Sequence, residues 1–126
     1  PIIDLRKYER DVHLYLRKLE EVIIKLLKDF SIEAGRIKDM TGVWVENKKI
    51  ASIGIGISKW VTYHGFSLNV DPNMKHFAMI NPCGLGKPTT SMKEQLNSKC
   101  PERRKIEEKL TGTFAEVFSK RKFSIV

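Results

Sequence analysis

Three residues of this 126-residue chain have side chains suited to chemistry: the thiol of Cys83, the amine of Lys49 and the imidazole of His64. Cys83 sits in Pro82-Cys83-Gly84. The proline stiffens the approach and the glycine removes the next side chain, so the sulfur can stand exposed on a tight turn. Only the thiolate is reactive, and an ordinary thiol is ionised to a few per cent at neutral pH. A neighbouring ammonium raises that fraction. Lys49 lies at the mouth of an apolar strand-like run, where an amine points either into a cleft or to water. His64 precedes Gly65 and suits a proton carrier or substrate contact, and equally a structural hydrogen bond. Taken alone, Pro-Cys-Gly does not separate a nucleophile from the inert buried thiol that a lone cysteine commonly becomes.

Other constellations fail. The chain has no Gly-x-Ser-x-Gly elbow and no phosphate loop. Gly54-Ile55-Gly56 lacks the third glycine of a dinucleotide fingerprint, and Cys83, Cys100, His64 and His76 lack zinc-ligand spacing. Neither a metal nor a cofactor is expected.

The elements that must position these groups are legible from periodicity. Val12, Leu16, Leu19, Ile23, Leu26, Leu27 and Phe30 recur at three-to-four spacing and predict an amphipathic core-packing helix over 11–30. Strand-like runs follow at Ile32–Ile37, Gly42–Val45, Ile50–Ser58, Trp60–Tyr63 and Phe66–Val70, with a hairpin turn expected at Asn47-Lys48. Alternation sets Ile53, Ile55 and Ile57 on one face, while Ala51, Gly54 and Gly56 keep the strand slim enough for close approach to its backbone. Asp71-Pro72-Asn73 can start a short helix carrying Met74, Phe77 and Met79, and Asn81-Pro82-Cys83-Gly84 is a turn. Thr90 or Ser91 caps a helix through Leu96, with Glu94 at capping-box distance from Ser91. Pro101 opens a last helix with the stripe Ile106, Leu110, Phe114, Val117 and Phe118. Helix, then strands, then helices predicts an α+β fold, a single domain over 1–126.

The totals fit that reading. Apolar residues make up 41% and charged residues 30%, ordinary for a globular protein, and no apolar run approaches membrane-spanning length. The net charge of +8 favours acidic partners. The basic residues are scattered, and aromatic residues do not interleave with Arg103-Arg104-Lys105 or Lys120-Arg121-Lys122, so a small acidic protein suits the surface better than nucleic acid. Two cysteines make no disulfide framework and fit a reducing compartment, the cytoplasm or alternatively the mitochondrial matrix.

A series of strings in order carries the reading further. Thr41-Gly42-Val43-Trp44-Val45 is followed by Lys49-Ile50-Ala51-Ser52-Ile53-Gly54, by Trp60-Val61-Thr62-Tyr63-His64-Gly65-Phe66-Ser67-Leu68-Asn69 and by Pro82-Cys83-Gly84. Together with Pro1-Ile2-Ile3-Asp4-Leu5 and the Leu19-Glu20 helix, they resemble the lipoyl(octanoyl) transferase family over most of the chain. The resemblance implies a mixed sheet with flanking helices, like the catalytic domain of biotin and lipoate protein ligases, working through an acyl-enzyme without ATP. It implies that Cys83 takes octanoyl from octanoyl-acyl carrier protein as a thioester. A lysine of a lipoyl domain, in 2-oxoacid dehydrogenase complexes or the glycine cleavage H protein, then receives it. Lys49 would lower the thiol pKa and relay protons. Ser52, Ile53, Gly54, His64, Gly65, Phe66 and Ser67 would line the acyl site.

The chain departs from the pattern where Ser67 replaces a common alanine and Leu85 a common isoleucine, both mild. It also lacks the family's N-terminal Arg-Gly-Gly and His-Gly-Pro-Gly-Gln stretches, so the expectation is an N-terminally truncated catalytic domain with an exposed sheet edge. The alternative is a module that binds an acyl chain or acidic protein without turnover.

Overall fold

The apolar stripe predicted near the start becomes α1, Val12–Asp29, in a computed structural model that describes residues 1–72 and 88–119. The Asp11 carboxylate accepts the Leu14 N–H at 3.0 Å and caps the first turn. Leu19, Val22, Ile23, Leu26 and Leu27 are fully buried along one face. Each contributes about 1.5–3 kcal/mol of transfer free energy.

Four strands follow: β1 (Gly35–Ile37), β2 (Met40–Val45), β3 (Lys48–Ser58) and β4 (Val61–Leu68). They pair in sequence order, each antiparallel to the next. Tight turns join them, and a two-residue connection permits no other direction. The expected mixed character enters, among the described residues, through the isolated parallel bridge between Lys49 and Thr89. The turn between β2 and β3 falls on Glu46–Asn47, one residue before the expected place.

The runs Trp60–Tyr63 and Phe66–Val70, expected to be separate, are one strand. His64 pairs with Ile55 and Gly65 with Gly54 in unbroken register, because β3 offers a continuous partner from Ala51 to Ser58. Trp60 itself belongs to the turn. Lys59 and Trp60 both have positive φ, 49° and 65°, the backbone that suits a two-residue hairpin. Neither is Gly or Asn, so composition carried no turn signal there.

Among the described residues two further α-helices follow: α2 (Met92–Leu96) and α3 (Arg103–Phe118). Ser91 caps α2 by accepting the Glu94 N–H at 3.0 Å. The Glu94 carboxylate binds the Thr90 hydroxyl at 2.9 Å in place of the reciprocal capping-box bond. The expected helix with Met74, Phe77 and Met79 and the turn at Asn81–Gly84 lie outside the described residues.

One face of the sheet packs on α1 and α3. Val43, Val45, Ile50 and Ala51 join Ile23, Leu26 and Leu27 in one buried cluster, and Leu5, Tyr15, Leu19, Val22, Val117 and Phe118 form another. Ile53, Phe66 and Leu110 pack against both and weld them together.

A carboxylate is buried within this apolar interface. Glu20 on α1 is fully buried and accepts two bonds from one Arg17 nitrogen at 2.9 and 2.7 Å, one from Arg36 at 2.8 Å and one from the Gly42 N–H at 3.1 Å. Arg36 on β1 also donates to Glu21 at 2.9 Å and to the Arg17 carbonyl at 3.1 Å. Removing one partner of a buried pair leaves the others desolvated and unpaired. Glu20→Ala is therefore expected to cost about 3 kcal/mol or more. Arg17→Ala leaves Glu20 its bonds from Arg36 and Gly42 and should cost less, about 1–3 kcal/mol. Urea denaturation of both variants checks the ordering.

Candidate active site

Lys49 and the core contend for the same strand. Simple alternation gives Lys49 the parity of Ile53, Ile55 and Ile57, which would turn its ammonium into the helices. The register shows why this does not happen. Val43 pairs with Ala51 and Trp44 with Lys49, so β3 spends one extra residue, Ile50, against a single step of β2. This is a β-bulge, and it reverses the facing of the strand on either side. Ile50 and Ala51 both enter the core, while Lys49 emerges on the outer face, away from α1 and α3.

The Lys49 backbone is held on the side opposite β2. Its N–H donates to the Pro88 carbonyl at 3.0 Å, and its carbonyl accepts the Thr90 N–H at 2.9 Å. Both backbone groups point away from β2, so Trp44 and Lys49 form a cross-strand pair without mutual hydrogen bonds, the kind whose side chains come closest. The Lys49 ammonium accordingly lies over the Trp44 ring, 5.5 Å from its centroid. Gly42 makes the space. A Cβ there would stand 2.9 Å from Lys49 Cε and 3.0 Å from Trp44 Cη2, and its φ of 140° excludes most other residues. The Gly42 N–H is the one bound by Glu20, so the buried carboxylate fixes the floor on which Lys49 rests.

Trp44 is 2% exposed, and its indole Nε1 finds no acceptor among the described residues. An unmade bond at a buried donor costs about 1–3 kcal/mol.

The other predicted site residues divide between the two faces. Ser52 pairs with Ser67 and Gly54 with Gly65, four small residues on the outer face with Lys49. Gly56 is filled by the Tyr63 ring and Gly65 admits Pro1, whereas among the described residues nothing lies within 4 Å of a Cβ placed at Gly54. Gly54 is thus the open point of the slim strand. Ile53 and Phe66 pair with each other and turn to the helices, so they meet the outer face through backbone alone. On that inner side Phe66 lines a 650 Å³ groove with Leu68, Val70, Cys100, Ile106 and Leu110. His64 is exposed, opposite Ile55, with φ of 61° and its ring edge-on to Tyr63 at 5.0 Å. A non-glycine residue in that region inside a strand is strained by about 1–3 kcal/mol, a feature concentrated at functional sites. Cys83 lies outside the described residues.

Glu20, Gly42 and Trp44 are supports that a search for reactive side chains passes over. Glu20 did carry a signal: it falls in the apolar stripe, four residues after Leu16 and three before Ile23, where a charge demands a buried partner. Gly42→Ala is expected to lose about 1–3 kcal/mol of stability from its strained φ alone. It should also displace Lys49, seen as altered chemical shifts of the Lys49 and Trp44 side chains in NMR spectra.

With this geometry in view, the chain can be compared with known proteins. The model of the lipoyl protein ligase A/B catalytic domain matches residues 1–115. An octanoyltransferase of Solibacter usitatus is 58% identical over 92 residues, covering 73% of this chain and 42% of that protein. One of Nostoc punctiforme is 47% identical over 120 residues, covering 94% and 51%. The chain spans about half the length of the curated relatives it matches. Among solved structures, the apo biotin protein ligase of Aquifex aeolicus superposes with a TM-score of 0.70 at 18% identity, covering 94% of this chain and 50% of that one. Lipoate-protein ligase A bound with ATP gives 0.70 at 13% identity, covering 92% and 51%. At those identities the likeness speaks for the fold, the antiparallel sheet and flanking helices of the ligase catalytic domain. The match over residues 1–115 settles the kinship, and the chain belongs to the lipoyl protein ligase A/B catalytic domain family.

Proposed function

We propose that the protein containing this chain is an octanoyltransferase that moves an octanoyl group from acyl carrier protein to a lysine of lipoyl domains through a thioester on Cys83. The observation that carries this is the placement of Lys49 on the slim outer face, in a chain 40–58% identical to proteins named octanoyltransferase. Pro88, whose carbonyl holds the Lys49 N–H, follows Cys83 by five residues, so chain length alone limits the separation of Cys83 from Lys49 to about 20 Å.

In this reading the Cys83 thiolate attacks the carbonyl carbon of the donor thioester. The new carbon–sulfur bond forms as the bond to the carrier sulfur breaks, and the departing sulfur takes a proton from the Lys49 ammonium, which leaves Lys49 as an amine for the second step. Exchange between two thioesters is nearly balanced, so the step needs an ionised nucleophile rather than a driving force. The Lys49 ammonium supplies the charge that favours it. In the second step a lipoyl-domain amine attacks the octanoyl-Cys83 carbonyl, its proton passes to Lys49 as amine, and Cys83 departs as thiolate. Ser52, Gly54, Gly65 and Ser67 leave a narrow path for a straight chain, and each buried CH₂ adds about 0.8 kcal/mol of binding. Ile53 and Phe66 contribute from the backbone and His64 from the rim.

The acidic carrier protein suits a chain of charge +8. The acceptors in this reading are the lipoyl domains of 2-oxoacid dehydrogenase complexes and the glycine cleavage H protein. The compartment is the cytoplasm, or the mitochondrial matrix. Among the described residues no helix is long and apolar enough to cross a membrane. A second reading rests on the slim outer face alone, which needs no nucleophile to take up an apolar chain: a module that holds the acyl chain without turnover.

Intact-protein mass after mixing with octanoyl-acyl carrier protein separates the two. A hydroxylamine-labile octanoyl adduct that disappears in Cys83→Ser is expected for the transferase, and binding without an adduct would favour the module. Lys49→Ala should slow Cys83 alkylation at neutral pH by about tenfold, the loss of thiolate fraction expected when a neighbouring opposite charge worth about one pKa unit is removed. Gly54→Val meets open space and should fold as stably as the native chain, yet block the acyl path. Adduct formation at fixed donor concentration would then fall sharply while the unfolding midpoint holds.

A further inference from the structure

The Lys49 ammonium rests on the Trp44 indole, and three features make that contact more than incidental packing. The two residues are a directly opposed cross-strand pair brought together by the bulge at Ile50. The Lys49 backbone is fastened through both its N–H and its carbonyl to the Pro88–Thr90 segment, so its side chain leaves the strand in one direction, across the space kept clear at Gly42. Last, Trp44 is buried with its Nε1 unpartnered among the described residues. A buried tryptophan ordinarily bonds its N–H. If only apolar volume were needed here, phenylalanine would serve without the orphaned donor. What tryptophan offers beyond phenylalanine is the strongest aromatic face for a cation.

We propose that Trp44 is a positioning residue for the transfer reaction, its indole face holding the Lys49 ammonium at the place where it acts on Cys83. This rests on the role assigned to Lys49 above. Glu20 and Gly42 set the floor of the same socket, because the Glu20 carboxylate binds the Gly42 N–H and no Cβ intrudes between Gly42 and Lys49. An aromatic face attracts an ammonium, so Trp44 restrains the Lys49 side chain to the one direction that its backbone allows. It touches neither acyl group nor thiol in this role, and its effect passes entirely through Lys49.

The test uses Trp44→Leu, Trp44→Phe, Lys49→Ala and the double variant Trp44→Leu/Lys49→Ala. Two rates are read: acylation of Cys83 by octanoyl-acyl carrier protein, and alkylation of Cys83 by iodoacetamide across pH. Trp44→Leu is expected to slow both by about five- to tenfold, the scale of a partly desolvated cation–π contact. The donor concentration for half-maximal acylation should change little. Trp44→Phe should recover most of the loss, because it restores an aromatic face without the N–H. The double variant should be no slower than Lys49→Ala. Independent penalties in the double variant, or Trp44→Phe as slow as Trp44→Leu with both unfolding midpoints unchanged, would overturn the proposal. Should Lys49→Ala leave both rates unchanged, the assigned role of Lys49 fails. The hold itself is then judged by NMR: an upfield ring-current shift of the Lys49 Cε protons that vanishes in Trp44→Leu supports it, and an ordinary shift in the native protein refutes it.

Discussion

A charged group sealed inside an apolar interface must satisfy every lone pair or destabilise the fold, and Glu20 answers that demand by gathering three elements of structure. Its carboxylate holds Arg17 of its own helix, Arg36 of β1 and the Gly42 N–H of β2. The first hairpin therefore meets α1 in one register and at one height. Apolar packing alone would tolerate sliding, since burial is non-directional. The hydrogen bond to Gly42 does not. It pins the one backbone position in β2 whose conformation excludes most side chains, and from there the placement of Trp44 and Lys49 follows.

The bulge at Ile50 completes what Glu20 begins. A regular ladder would give the strand one apolar face along its length and would turn Lys49 inward with the isoleucines. One extra residue lets Ile50 and Ala51 both fill the core while the residues on either side change face. Core and site are thus served by the same strand at the cost of a local irregularity. Bulges are common beside active sites for this reason. The segment at Pro88–Thr90 then takes up the backbone bonds that β4, ending at Leu68, leaves unmade beside Lys49.

Separation of the two faces orders the rest. Ile53 and Phe66 bind both hydrophobic clusters into one core, and their outward neighbours Ser52, Gly54, Gly65 and Ser67 form the thin side. Small residues on the outer face are tolerated because the inner face already supplies the packing. The strained backbone at His64 is held in place by unbroken pairing with Ile55.

Much of this was legible before any coordinates. The stripe of α1, the runs that became β2 and β3, the Ser91 cap and the last helix all follow from periodicity and capping chemistry, which act over neighbouring residues. The ordered strings around Lys49, Gly54 and His64 led to the family, and the match over residues 1–115 bears that out. Three features escaped because they depend on partners distant in sequence. Trp60 became a turn residue because β3 and β4 had to meet, and no glycine announced it. Glu20 read as part of a helix because its partners lie sixteen and twenty-two residues away. The face on which Lys49 emerges could not be counted out along β3 at all. By itself the sequence determined the family, the order of the elements and most of the residues that pack the core. The tertiary structure decided how they face one another, because strand register is set between chains segments and one inserted residue inverts every side chain beyond it.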